Sequence, residues 1–241
     1  MTLGRFRRRR GRALLTILAG ALALSLPGGD ATGGEPRIKI LFDAAGAGDL
    51  RRVRTLLSMG FEADWTGNMS WTALHSAAKE GQAAVASFLI KKGAKVDAKE
   101  SHGYRTPLHL AIAEGHGSLA RLLLQAGADI EAETGIELHP LHIAADKDHL
   151  EIARMLVQRG ANVDATDQIG RTPTHFAAGA GHVEMLELLV DQDANFNLLT
   201  PAFKESALYY ALLGEHREAA ALLKEHGAVC RGVRMWICEV K

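Results

Sequence analysis

The 241-residue chain carries 28 basic and 28 acidic side chains, but six of the basic and one of the acidic residues lie in the first 31, leaving 22 against 27 and a formal charge of about minus five. That balance argues against nucleic acid as a partner, since a basic patch or stripe is the usual footprint of such binding. The only two cysteines lie in the last twelve residues, so no cysteine set for a zinc site exists elsewhere.

Arg5, Arg7, Arg8, Arg9, Arg10 and Arg12 precede an uncharged run from Ala13 to Leu26, followed by Pro27, two glycines, Asp30 and Ala31. Basic residues, a short apolar run and then small residues are the layout of a secretory signal. Residues 1–31 are therefore expected to be an export signal, cleaved after Ala23, Ser25 or Ala31, with the product periplasmic. The run is shorter than the about 20 apolar residues of a comfortable membrane span, so no stable span is expected in the mature chain. An uncleaved inner-membrane anchor and secretion are the alternatives. Residues 32–36 read as a linker.

From residue 37 the chain is organised by repetition. Thr72-Ala73-Leu74-His75, Thr106-Pro107-Leu108-His109, His139-Pro140-Leu141-His142, Thr172-Pro173-Thr174-His175 and Ser206-Ala207-Leu208-Tyr209 recur at intervals of about 33 residues. Gly60, Gly93, Gly127, Gly160 and Gly227 recur in step, with Asp193 replacing glycine once. Two registers locked in phase mean one repeated unit, and units of this size form solenoids in which each buries its apolar face only against its neighbours.

Thr106 to Asp129 shows what the unit does. Thr106 suits an N-cap and Pro107 the first helical position, where the missing N–H costs nothing. Leu108, Ala111 and Ile112 share a helical face, and Gly115 ends the run. Ser118 opens a second apolar run through Leu122, Leu123 and Leu124 to Gly127. The polar stretch that follows suits a turn or short hairpin projecting from the helix pair. Paired alanines (Ala77-Ala78, Ala144-Ala145, Ala177-Ala178) mark where helices approach closely. Phe42 to Gly60 is an incomplete first copy that reads as an N-terminal cap, and Ser206 onward reads as a divergent C-terminal one.

These motifs resemble the ankyrin repeat family, and the best copy runs from Asp167-Gln168-Ile169-Gly170-Arg171-Thr172-Pro173 through Gly181-His182 to Leu188-Leu189, with Thr174 standing where the family has leucine. The resemblance implies an all-α repeat solenoid of stacked helix-turn-helix units with short projecting β-hairpins, about six units including caps over residues 37–228. It also implies a protein-binding function without chemistry of its own. Residues 229–241 read as a tail, in which Cys230 and Cys238 are candidates for a disulfide in an oxidising compartment.

Catalytic motifs are absent from the sequence: no Gly-x-Ser-x-Gly, phosphate-binding glycine loop or paired-cysteine metal motif occurs, so no catalytic residue, cofactor or metal is expected. Eight of the eleven histidines fall on repeat positions. The residual metal candidate is His139, His142 and Asp146, whose spacing of three and four places them near one helical face. The positions that vary between repeats are the better candidates. One column precedes the Thr-Pro turn (Trp71, Arg105, Leu138 and Arg171), with Tyr104 beside it through a one-residue insertion. A second lies at the ends of the first helices (Lys79, Glu80, Glu114, Asp146 and Lys147). Trp, Tyr and Arg are types enriched at binding hot spots. In the ankyrin family these columns line the concave surface, so the expected partner is a protein, met by a monomer in the bacterial envelope. An immunity-type inhibitor of a toxin or hydrolase is the alternative.

Overall fold

The computed structural model describes residues 35–238, with side chains from Ile38 onward apart from Met235 and Trp236. The expected export signal lies outside the described residues. Six helix pairs stack in chain order: α1 Glu35–Gly46 with α2 Leu50–Ser58, α3 Ala73–Lys79 with α4 Ala83–Lys91, and α5 Pro107–Ala113 with α6 Gly117–Gln125. Then come α7 Pro140–Asp146 with α8 Leu150–Val157, α9 Pro173–Ala180 with α10 Val183–Asp191, and α11 Ala207–Leu213 with α12 Arg217–Glu225. A one-turn helix, α13 Met235–Cys238, closes the described chain. First helices pack on first helices and second on second, forming two layers. The fold is the all-helical solenoid that the repetition predicts. No strand occurs among the described residues. The expected β-hairpins are loops closed at their base by single backbone hydrogen bonds, such as Gly67 N–H to Trp71 O and Asp167 N–H to Arg171 O, with one isolated bridge between Thr66 and Thr72.

The core lies between the layers. Leu74, Leu108 and Leu141 of the first helices and Leu89, Leu123, Leu156 and Leu189 of the second are fully enclosed. The paired alanines are likewise solvent-free, as close helix approach requires. Second helices end at glycine in left-handed geometry, for example Gly127 at φ 91°, and Asp193 takes the same role at φ 58°.

Hydrogen bonds stitch each unit to the next in three columns. In the first, the buried histidine of the Thr-x-Leu-His turn accepts the backbone N–H of its own cap at Nδ1 (Thr72 to His75, 3.2 Å; Thr106 to His109, 3.1 Å; His139 to His142, 3.1 Å; Thr172 to His175, 3.1 Å). An amide N–H can only donate, so the proton sits on Nε2. That nitrogen donates to a carbonyl of the following loop: Arg105, Ala132, Arg171 and Glu205, at 2.9–3.3 Å. In the second column His116, His149, His182 and His216 reach back through Nε2 to Lys79, Ala113, Asp146 and Gly179 carbonyls. In the third, a side-chain acceptor in one unit receives a backbone N–H of the next: Asp97 from Asp129, Glu131 from Asn162, Asp164 from Asn195, and Asn197 from Val229.

The second column explains the glycines in mid-repeat. A β-carbon on Gly81 would meet the His116 ring at 2.7 Å, and one on Gly115 the His149 ring at 2.9 Å. Asp148 occupies this place in the fourth unit at φ 55°, with its carboxylate 3.8 Å from His182 Nδ1. Left-handed geometry costs a non-glycine residue about 1–2 kcal/mol, offset in part by the extra freedom glycine has when unfolded. Asp148→Gly is therefore expected to stabilise the chain by about 0.5–1 kcal/mol. Urea unfolding midpoints of the two proteins check this, and a lower midpoint for the glycine variant would sink it.

Candidate functional site

Each unit projects one loop, and the loops stack. Ser101 N–H donates to Met69 O at 2.7 Å, Gly135 N–H to Gly103 O at 2.7 Å and Gln168 N–H to Ile136 O at 3.2 Å, always 32 residues apart. The next place in that register is Pro201, which has no N–H to give, and its ring packs instead against Gly170. Apolar side chains stand on the tips: Met69, Tyr104, Ile136, Ile169 and Phe203 are between 48 and 59% exposed. Single exposed apolar residues are ordinary, but their recurrence at the loop tip of consecutive repeats is the kind of feature that marks an interaction surface. The sequence reading identified only Tyr104 of this row. The signal was present, since the tip residues recur every 32 to 35 positions within the loops.

The columns singled out in the sequence have mixed fates. Arg105 and Arg171 are each tied to a buried carboxylate, although their own side chains stay 48% and 30% exposed. Arg171 Nε and Nη2 lie 2.9 and 2.8 Å from Asp167 Oδ2, while Oδ1 accepts the Ile169 and Arg171 N–H groups. Asp167 is only 5% exposed, and the Arg171 guanidinium also lies 4.4 Å over the Phe176 ring. Arg105 Nε likewise bonds Glu100 Oε1 at 3.0 Å, and the same carboxylate accepts from His102 and Gly103 N–H. Burial works to raise the Glu100 carboxyl. The His102 N–H bond and the Arg105 guanidinium outweigh it and hold the group below its ordinary value. Both arginines thus clamp the base of their loops while leaving part of each side chain on the surface.

Leu138, at the same place in the next loop, is half-buried, and its loop is closed by Leu138 N–H to Thr134 Oγ1 at 3.0 Å. Trp71 is half-buried, donates from Nε1 to Ser76 Oγ at 2.8 Å and stacks on His75. Lys79, Glu80, Glu114, Asp146 and Lys147 are exposed, with Lys147 Nζ 3.1 Å from the Asp146 carboxylate. The two columns meet at the second unit, where Trp71, Ser76, Lys79 and Glu80 line one cavity with Phe42 and Asp43 of α1. A deeper cavity of about 650 Å³ opens on the other side of Trp71 and Phe42.

The candidate metal cluster does not form. His142 uses both ring nitrogens in the stitch described above. His139 turns towards Glu131 instead, its Nδ1 3.0 Å from Oε2 but off the line of a hydrogen bond. No group of three metal-ligating side chains comes together among the described residues. His139 also makes no side-chain cap hydrogen bond to its helix.

Cys230 and Cys238 are bonded to each other. The tail they close lies on the last unit. Ser206 N–H donates to Arg231 O at 2.8 Å, Arg231 N–H returns to Ser206 Oγ at 3.0 Å, Gly232 packs on Tyr209, and Ile237 is buried. The tail thus gives the Ser206 N–H the acceptor that a histidine Nδ1 of the same turn provides in the four preceding units. Among the described residues no helix is long and apolar enough to cross a membrane.

Stacked helix pairs, projecting loops and a buried histidine staple in four successive turns define a helical-repeat solenoid. The family model for ankyrin repeats matches in three overlapping copies, at residues 41–134, 102–167 and 141–232, and the chain belongs to that family. No curated protein matches it. Ankyrin repeats are generally protein–protein interaction modules.

Proposed function

We propose that the protein acts in the bacterial envelope by binding a partner protein through its loop tips and the adjoining first-helix ends, without catalysis. The row of exposed apolar side chains from Met69 to Phe203 carries this reading. Water-exposed apolar area of that extent costs free energy and is retained where a partner covers it. The polar loop bases behind it are already satisfied internally, so the tips are held in place before binding and little ordering entropy remains to be lost. The disulfide supports an exported location, because such bonds persist in oxidising compartments.

The test is affinity capture from an envelope fraction, comparing wild type with a Tyr104→Asn, Ile136→Ser, Ile169→Ser variant. All three side chains are exposed, so folding should survive, and asparagine tolerates the left-handed backbone at position 104. Loss of two or three interface anchors is expected to weaken binding more than tenfold, since each costs about 1 kcal/mol or more. A protein recovered equally by both would move the interface off the tips. No captured protein at all would count against a binding function on this face.

A further inference from the structure

The larger cavity lies between α1 and the first two projecting loops. Ile38, Phe42, Met69 and Trp71 form its walls, with Lys39 and the Arg105–Glu100 pair at the rim. At about 650 Å³ it is in the size range of binding pockets, and its walls are mainly apolar with few polar groups. Glu100 is paired with Arg105, so the remaining formal charge at the rim is that of Lys39. The third to fifth units are acidic in sequence: residues 101–200, spread over both helix layers, contain 14 acidic and six basic side chains. Of those basic residues, Arg105, Lys147 and Arg171 are each tied to a carboxylate of this chain. Glu114, Glu133 and Glu137 are exposed on the third and fourth units, besides Asp146, which pairs with Lys147.

We infer that the partner docks as a polypeptide segment with two features: one bulky apolar side chain that enters this cavity, and a cluster of lysine or arginine that lies over the acidic third and fourth units. This rests on the protein-binding reading above and names the chemistry of the partner. The spacing follows from helix packing. Neighbouring first helices lie about 8–10 Å apart, so the loop bearing Glu133 and Glu137 is about 18 Å, two repeats, from that of Trp71. An extended chain covers that span in about five or six residues, at about 3.3 Å each. The apolar cavity holds the anchor, while the acidic stretch sets orientation and speeds encounter.

A fluorescent synthetic peptide with one Trp, a five-residue Gly/Ser spacer and four Arg is the probe, titrated against the purified protein by anisotropy. Binding is expected, and replacing the peptide Trp by Ser should weaken it about tenfold or more. Met69→Asn should weaken it about fivefold, with folding kept because Met69 is exposed and asparagine tolerates its left-handed backbone. Glu133→Gln with Glu137→Gln should weaken binding and flatten its salt dependence, as loss of screened ion pairing requires. Equal binding of the Trp and Ser peptides would show charge attraction alone and overturn the inference, as would no binding of either. If neither peptide binds but the tip-dependent partner is still captured, this inference alone fails; if that capture fails too, so does the protein-binding reading.

Discussion

Lowering the pH from 7 to 5 is expected to remove much of the stability of this chain, with a cooperative acid transition centred near pH 5. The cause is the first histidine column. Burial is the largest influence on His109, His142 and His175 and holds them at about 4, although the carbonyls that accept from Nε2 favour the charged form. His75 is lowered for the same reason. Each ring is neutral because Nδ1 must accept the cap N–H. Protonating it would set a donor against a donor at a ring closed off from solvent. The unfolded chain binds these protons near pH 6.5 and the folded chain only near 4, so stability is complete above about 6.5 and declines as pH falls between the two values. At full titration each such residue contributes on the order of 3 kcal/mol, and three together approach the whole stability of a typical domain. Carboxylates titrate largely below this window. Urea midpoints measured from pH 7.5 to 4.5 check the expectation. A flat profile down to pH 5 would mean that the staples are not held neutral.

Arg171→Ala should destabilise the fold by about 2–3 kcal/mol, whatever it does to binding, because it strips the counter-charge from a carboxylate that is almost wholly buried. Asp167 would keep the backbone N–H bonds from Ile169 and residue 171, but its second oxygen would lose the guanidinium. Truncation also removes the packing of Arg171 over Phe176. Because the cost comes from an unpaired charge, Asp167→Asn in the Arg171→Ala background should recover part of it. Equilibrium unfolding of the single and double variants decides the matter. A loss below about 0.5 kcal/mol for Arg171→Ala would place the residue with ordinary surface positions. For the same reason, neither arginine is suited to testing an interface by alanine substitution, since lost binding and lost folding would be confounded.

The fold was legible because its requirements are local and repeated. Thr106-Pro107 can only begin a helix comfortably, and Gly127 ends one. Eight histidines in two registers cannot be a scattered catalytic set. The same repetition placed Asp193 where the other units have glycine, and it takes up glycine's left-handed geometry. The candidate face was harder to read. Arginine before the Thr-Pro turn looks the same in sequence whether its guanidinium points outward or folds back five residues to Glu100. The tips were overlooked because an isoleucine in a polar loop carries no periodic signal within its own repeat.

What this sequence determined alone is the class of unit, its number and its register, since helix caps, chain reversals and apolar faces depend on neighbours within a few residues. Tertiary structure decided the status of individual side chains. Which carboxylates are buried, which histidine nitrogen carries the proton and which apolar residues stay in water depend on groups about 30 residues away in the adjacent repeat. Charge and hydrogen bonding act through space, and only the stacking of units sets those distances.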